Sequence, residues 1–149
     1  MRAVVQRTNG AAVKVEGEKI SSIKFGLVVF LGVEKNDDAA EAAYLAEKIV
    51  NLRIFEDNEE KMNLSLHDVQ GEVLSVSQFT LLADCRKGRR PGFSEAASPE
   101  KAEELYKIFN KYLKEKSVVV KEGIFQAHMQ IELINDGPVT ILLDSKKTF

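Results

Sequence analysis

Two short segments carry residue types that could bind and cleave a small polar substrate. They are Ser77-Gln78-Phe79-Thr80-Leu81 and Asn135-Asp136-Gly137-Pro138-Val139-Thr140, and each lies at the end of a run of β-favouring residues. Both combine hydroxyl or amide side chains with a backbone that must turn sharply. This composition is typical of a site that recognises its substrate through main-chain groups and orientation, without strong acids or bases.

The usual general bases and nucleophiles have weak settings in this sequence. His67 lies in a polar connection and His128 lies next to Met129, and neither has a nucleophile with an orienting acid beside it. We therefore expect both histidines to be structural or exposed. Cys85 lies beside the cation Arg86, which favours a reactive thiolate, but no base is visible to make it a catalytic nucleophile.

The cysteine count also limits metal chemistry. Cys85 is the only cysteine, which excludes an intrachain disulfide and a cysteine-based metal cage within one chain. No spacing of His, Cys, Asp and Glu matches a known ligand set. We therefore expect neither a metal nor a cofactor.

Length and composition favour one ordinary globular domain over residues 1–149. The chain is 44% hydrophobic and 30% charged, without low-complexity or linker-like tracts. It has no apolar run of the roughly 20 residues that cross a bilayer, and its N-terminus lacks a secretory pattern. These features predict a cytoplasmic protein that does not bind membranes.

The charge distribution leaves a local contact with nucleic acid open. The net charge of -2 argues against a protein that coats nucleic acid through a broad basic field. Four cations nevertheless lie close together in a segment of turn composition, at Arg86, Lys87, Arg89 and Arg90. This run is either a solvated loop or a contact for the phosphates at one end of an RNA.

Several strands and two helices are predicted. Asp38 and Glu41 form a capping-box pattern before a helix over 38–52, and Ser98-Pro99 begins a second helix. Asn9-Gly10 is a good tight-turn dipeptide between two of the first strands. The lack of regular β-α alternation favours an α+β domain with a mixed or mostly antiparallel sheet. The predicted strands are 3–7, 11–15, 19–23, 27–33, 53–56, 71–77, 117–121, 127–134 and 139–143.

The two motifs resemble the signature motifs of the D-aminoacyl-tRNA deacylases. The resemblance extends over essentially the whole chain, including residues 1–7, 45–55, 84–91 and 142–145. It implies a curled, barrel-like sheet with two helices in a homodimer. It also implies an enzyme that hydrolyses the ester of D-aminoacyl-tRNA, glycine on a non-cognate tRNA being a plausible second substrate.

The same resemblance implies roles for individual residues. Ser77, Gln78, Phe79 and Thr80 would line the pocket for the terminal adenosine and its ester, with the N–H groups of Phe79 and Thr80 facing the oxyanion. Gly137-Pro138 would be a cis dipeptide that reaches into the pocket of the partner subunit and rejects L-amino acids. Three residues would support this selection: Arg7, Met129 and Asn135. The resemblance also favours the phosphate contact for the basic run.

Two alternatives remain open from the sequence. The chain could be a non-catalytic module that binds the 3′ end of RNA, or a small-molecule hydrolase with Thr80 or Cys85 as nucleophile. We rank a nucleophilic Thr80 below a positioning role because no base is visible to activate it. Gln126 and Gly92 depart from the family pattern, which favours a small residue and a serine at these positions, but neither change touches the two motifs.

Overall fold

The chain forms eight strands, two helices and one 3-10 turn, described over residues 1–149 by a computed structural model. The helices are α1 (Ala39–Val50) and α2 (Pro99–Glu115), and the 3-10 turn spans Phe79–Leu82. The expected α+β class is confirmed. The strands are β1 (Arg2–Val15), β2 (Glu18–Ile23), β3 (Gly26–Gly32), β4 (Phe55–Glu56), β5 (Met62–Leu64), β6 (Glu72–Ser77), β7 (Val120–Glu122) and β8 (Met129–Asp144).

The long strand β1 organises the main sheet because it pairs with three others. Its first half runs antiparallel to β3 and its second half antiparallel to β2, while β8 runs antiparallel along both halves. β6 is parallel to β3, and β7 is parallel to β6. The sheet is therefore mixed, in the order β2-β1-β3-β6-β7 with β8 on β1.

A side-chain contact draws together the two end strands of that order. The hydroxyl of Ser21 on β2 donates to the carbonyl oxygen of Glu122 on β7 at 2.8 Å. A sheet whose opposite ends touch in this way is curled toward closure. The expected barrel-like sheet is thus confirmed.

The pleat of the sheet separates two apolar cores, because successive side chains point to opposite faces. On β3, Leu27, Val29 and Leu31 join the larger core, which also contains the buried faces of α1 and α2. Val28 between them joins a smaller core within the curled sheet. The sheet is thus packed on both faces, and its strand ends are held by a rigid framework.

Both helices begin as the sequence predicts. The Asp38 side chain accepts from the N–H of Ala40 at 2.7 Å, and Glu41 accepts from the N–H of Asp38 at 2.9 Å, which completes a capping box. Ser98 caps α2, with Pro99 at the first helical position. The caps satisfy backbone donors that would otherwise lack partners.

Two turn predictions are wrong. Asn9-Gly10 does not end a strand, since β1 continues through it and Gly10 has a φ of 127°. The glycine conformation lets β1 change its antiparallel partner from β3 to β2 without a break. Gly137-Pro138 likewise does not separate the strands predicted at 127–134 and 139–143, because β8 pairs with β1 on both sides of it, with a register shift between Gln6 and Thr8.

Candidate active site

The first motif forms an exposed turn at the end of β6. The N–H of Gln78 donates to the carbonyl of Leu31 at 2.7 Å, which ties the turn to β3. The N–H of Leu81 makes the first hydrogen bond of the turn, to the carbonyl of Gln78 at 3.3 Å. The N–H groups of Phe79 and Thr80 precede this bond, and both residues are exposed. Two backbone donors therefore lie at an accessible strand end.

The side chains of the motif also interact with each other. The amide nitrogen of Gln78 donates to the hydroxyl of Thr80. This contact fixes both polar groups on one side of the turn. It offers no acid or base, so its direct chemical capacity is hydrogen bonding and orientation.

Gly32 lets the turn lie close to the end of β3. A Cβ atom at Gly32 would lie 2.5 Å from Cδ2 of Leu82 and 3.0 Å from the carbonyl oxygen of Gln78. On the other side, the guanidinium of Arg2 donates to the carbonyl of Leu81 at 3.2 Å. The turn is thus positioned by close backbone packing and by a cation.

A cavity of about 720 Å³ opens beside the first motif. Ser77, Gln78 and Phe79 line it, and Met129 lies in its wall. Its volume is within the range of pockets that hold a small ligand. Its wall also contains four polar or aromatic residues that no sequence motif indicates as site residues: Tyr106, Phe125, Gln126 and His128.

Tyr106 braces the wall of this cavity. Its hydroxyl donates to the carbonyl of Ser75 at 2.8 Å, and the same carbonyl accepts from the N–H of Gly123 at 3.0 Å. Burial raises the pKa of Tyr106, so the phenol stays protonated and donates this bond. Tyr106 thereby connects α2 to β6 and to the segment that leads into β8. Tyr106 lies on the buried face of α2 with Leu105 and Phe109, and helical spacing does not distinguish a core tyrosine from one that borders a cavity.

The second motif forms a wide bulge in β8. Gln6 pairs with Thr140 and Thr8 pairs with Asn135, so residues 136–139 on β8 lie opposite Arg7 alone on β1. Gly137 and Pro138 are exposed in this bulge, and the peptide bond between them is cis. Gly137 has a φ of 112°, which favours glycine. The bulge presents main-chain atoms to the outside of the sheet.

Arg7 holds the base of the bulge from within the protein. Its side chain is only 5% exposed, and its Nε lies 3.3 Å from the carbonyl oxygen and 3.1 Å from the carboxylate of Asp136. Its Nη1 donates to the carbonyl of Ile54 at 2.8 Å. A Cβ atom on Gly137 would lie 2.8 Å from Nη2 of Arg7, so the guanidinium and the bulge are in close contact. The structure therefore brings Arg7 and Gly137-Pro138 together.

Asn135 closes the bulge across its neck. With its amide oriented to satisfy both oxygen and nitrogen, it donates to the carbonyls of Arg7 at 3.2 Å and Val139 at 3.0 Å. Its oxygen accepts from Gln6 and from the hydroxyl of Thr140, both at 3.1 Å. In this arrangement Asn135 supports the shape of the bulge.

Within one chain the two groups of predicted site residues stay apart. The residues that line the cavity include Ser77, Gln78 and Met129 but neither Gly137 nor Pro138. Met129 pairs with Val15, far along β8 from the bulge. One chain thus carries a cavity and, separately, an exposed main-chain bulge.

Comparison with known proteins places the chain in a family. The family described as D-Tyr-tRNA(Tyr) deacylase matches residues 4–144. The D-aminoacyl-tRNA deacylase of Alkaliphilus metalliredigens is 60% identical over 149 residues and that of Syntrophus aciditrophicus 59%, each match covering 100% of both chains. The chain belongs to the D-Tyr-tRNA(Tyr) deacylase family.

Solved structures share the fold of this chain. The c-Myc DNA Unwinding Element Binding Protein superimposes with a TM-score of 0.91 at 44% identity, covering 97% of this chain and 98% of that one. The structure described as a probable eukaryotic D-amino acid tRNA deacylase gives a TM-score of 0.80 at 16% identity, covering 95% and 97%. The second likeness shows the shared fold.

The basic run of this deacylase-family member lies in an exposed loop after the 3-10 turn. Asp84 and Gly92 exchange backbone hydrogen bonds of 2.7 and 3.0 Å and close the loop. Arg86 makes a two-pronged ion pair with Asp84, at 2.8 and 2.7 Å. This contact holds the pKa of the Asp84 carboxyl well below its usual range, so the pair persists at neutral pH. The other three cations are free of such partners: Lys87, Arg89 and Arg90.

The remaining candidates lie outside these groups. Cys85 is exposed in the same loop and His67 is exposed on the surface. No group of three or more His, Cys, Asp or Glu residues is arranged to hold a metal ion. Neither helix is long and apolar enough to cross a membrane.

Proposed function

We propose that this protein hydrolyses the ester between a D-amino acid and the 3′-terminal ribose of tRNA, releasing free tRNA and the D-amino acid. Membership in the D-Tyr-tRNA(Tyr) deacylase family is the observation that carries the proposal. The cavity beside Ser77, Gln78 and Phe79 supports it, because it has room for a terminal nucleoside with its ester. Acting on charged tRNA, the enzyme would proofread translation in the cytoplasm.

The proposed reaction uses water as the nucleophile. Water attacks the ester carbonyl carbon, and the N–H groups of Phe79 and Thr80 donate to the oxyanion that forms. The bond from carbon to the ribose oxygen then breaks, and that oxygen takes up the proton that the attacking water gives up. Gln78 orients the ester, while the ribose 2′-hydroxyl of the substrate assists proton transfer. An aminoacyl ester is labile enough for orientation and oxyanion stabilisation to suffice, without metal or cofactor.

The proposed selection by handedness uses the bulge of a second copy. If the main chain of Gly137 and Pro138 occupies the space beside Cα where an L side chain would point, every L residue clashes. A D residue directs its side chain outward, so the identity of that side chain matters little. The exposure of the bulge and its support by Arg7 and Asn135 are consistent with this role.

Glycine follows from the same steric argument. It has no side chain on either side of Cα, so the bulge has nothing to reject. We therefore propose that glycine on a non-cognate tRNA is a second substrate. The test compares the hydrolysis rates of glycyl and L-alanyl esters on one tRNA. Equally slow hydrolysis of both esters would contradict this proposal.

A homodimer is part of the proposal because one chain holds the cavity and the bulge apart. The outer face of β8 beside the bulge carries exposed apolar side chains, Ile134 at 64% and Leu142 at 59%. Exposed apolar surface next to a functional motif favours a protein partner. A second copy covering this face would bury it and could bring Gly137-Pro138 to the cavity.

The direct test is the rate at which D-tyrosyl-tRNA loses its amino acid. We expect rapid hydrolysis that is unchanged by a chelator. Tight binding of the charged tRNA without faster hydrolysis would instead favour the non-catalytic RNA-end module. A covalent adduct trapped on Thr80 or Cys85 would favour the nucleophilic hydrolase.

A further inference from the structure

Two aromatic rings form an exposed pair next to the cavity. Phe79 is 59% exposed and Phe93 is 36% exposed, and their ring centroids lie 4.9 Å apart at an interplanar angle of 57°. Such a pair leaves a large apolar area exposed to water. The pair is not part of the hydrophobic core, so packing does not explain it. Phe79 also lines the cavity, so the pair continues its wall outward.

The backbone near both rings is hydrogen-bonded to residues at the end of β3. The segment before Phe79 is tied to Leu31 through the N–H of Gln78 at 2.7 Å. The segment after Phe93 is tied to the residues following β3, because the N–H of Ala97 donates to Val33 at 2.9 Å. The backbone on either side of the pair is therefore held at the end of β3.

Positive charge lies immediately beside the pair. The closed loop of residues 84–92 ends at Gly92, directly before Phe93. Within it Arg86 is neutralised by Asp84, whereas Lys87, Arg89 and Arg90 form no ion pair. Glu95 on the far side of Phe93 is paired with Lys35 at 3.2 Å. The net local charge is thus positive.

Stacking surfaces beside cations are characteristic of single-stranded nucleic acid binding. Resting on the proposed function, we propose that Phe79 and Phe93 form a stacking platform for a base just 5′ of the terminal adenosine. Lys87, Arg89 and Arg90 contact the phosphates of that strand. The platform accounts for the exposed aromatic area and for the unpaired cations. Because it adjoins the cavity, the terminal adenosine in the cavity and the base before it on the platform would be neighbours on one RNA strand.

The first test compares a short substrate with a long one. The short substrate is D-tyrosyl-adenosine and the long one is D-tyrosyl-tRNA. We expect F93A to raise the KM for the tRNA and to leave the KM for the nucleoside ester nearly unchanged. The difference between the two effects should be about tenfold, the size expected for one stacked base. F93W should restore the lost affinity, since it keeps a stacking face. F149A is the matched control, because Phe149 is 64% exposed and belongs to neither site.

Three results would overturn the platform. Equal losses on both substrates would mean that Phe93 only supports the turn. No loss on either would mean that the pair does not contact RNA, and a change in oligomeric state with F93A would mean that a second copy covers it.

A binding measurement separates this inference from the proposed function. An uncharged RNA oligonucleotide ending in CCA, labelled with a fluorophore, reports binding without any hydrolysis. We expect weaker binding by F93A, and a smaller salt dependence when Lys87, Arg89 and Arg90 are all replaced by alanine. If the wild-type protein binds this RNA through the pair yet cleaves no D-ester, the proposed function fails while the platform stands. Unchanged RNA binding by all variants would refute the platform alone.

Discussion

At the scale of residues, Arg7 connects the bulge to the protein interior. Its guanidinium donates in two directions at once, to Asp136 and to Ile54. Lysine offers a single point charge and cannot reproduce this fork. We therefore expect Arg7→Lys to loosen the bulge and lower the ratio of D-ester to L-ester hydrolysis by about tenfold or more.

The measurement for Arg7 is the pair of initial rates on D- and L-tyrosyl-tRNA. Arg53→Lys serves as the control, because Arg53 is exposed and donates to the carbonyl of Asn63 and not to the bulge. A ratio that stays at the wild-type value in Arg7→Lys would remove Arg7 from chiral selection.

Thr80 provides a second prediction at this scale. If its backbone N–H acts while its hydroxyl only accepts a bond from Gln78, Thr80→Ala should slow D-ester hydrolysis by no more than about tenfold. Loss of a true nucleophile would cost roughly a thousandfold or more. Single-turnover rates with D-tyrosyl-tRNA distinguish these cases, and Thr80→Ser helps to separate loss of the hydroxyl from loss of the methyl group.

The first motif could be located at a strand end from the sequence alone, because the strand before it is strongly apolar and the turn that it forms is polar. Arg7 lies against Gly137 in the structure, while its role in selection stays a prediction. Tyr106 and His128 could not be recognised in the same way. Their place in the cavity wall depends on how α2 packs on β6 and on where β8 begins, which no local pattern encodes.

At the scale of elements, the contact between β3 and the 3-10 turn depends on Gly32. The Cβ atom of an alanine there would collide with Leu82 and press on the carbonyl of Gln78. We expect Gly32→Ala to shift the turn and lower kcat for D-ester hydrolysis by about a hundredfold, since small displacements of reacting groups are costly.

Gly92→Ala is the matched control for that substitution. Its added Cβ would meet its nearest neighbour, the carbonyl oxygen of Asp84, at 3.9 Å, an ordinary contact distance. Circular dichroism would establish that both variants are folded. Full activity in a folded Gly32→Ala protein would mean that the position of the turn is unimportant.

The elements themselves differ in how far the sequence predicts them. Both helices follow from capping residues and apolar spacing, which act locally. The continuity of β1 through Asn9-Gly10 and of β8 through Gly137-Pro138 does not, because each depends on pairing with distant strands. A turn dipeptide thus becomes a bend or a bulge when a long-range ladder continues on both sides.

At the scale of the whole molecule, the proposed composite site requires two copies of the chain. Ile134 and Leu142 lie on the exposed face of β8, and a glutamate there would be buried without a partner in a dimer. We expect Leu142→Glu to favour a monomer with little D-ester hydrolysis, as measured by analytical ultracentrifugation together with activity. Val119→Glu is the control, because Val119 is also exposed, at 52%, but lies beside β7. A stable, fully active monomer would contradict the composite site.

The most direct measurement is the deacylation rate of one tRNA charged separately with D-tyrosine and with L-tyrosine. We expect rapid loss of the D ester, with the L ester decaying at its spontaneous rate. Equally rapid loss of both esters would show that Gly137-Pro138 is not the chiral selector. Loss of both esters at only their spontaneous rates would contradict the proposed activity itself.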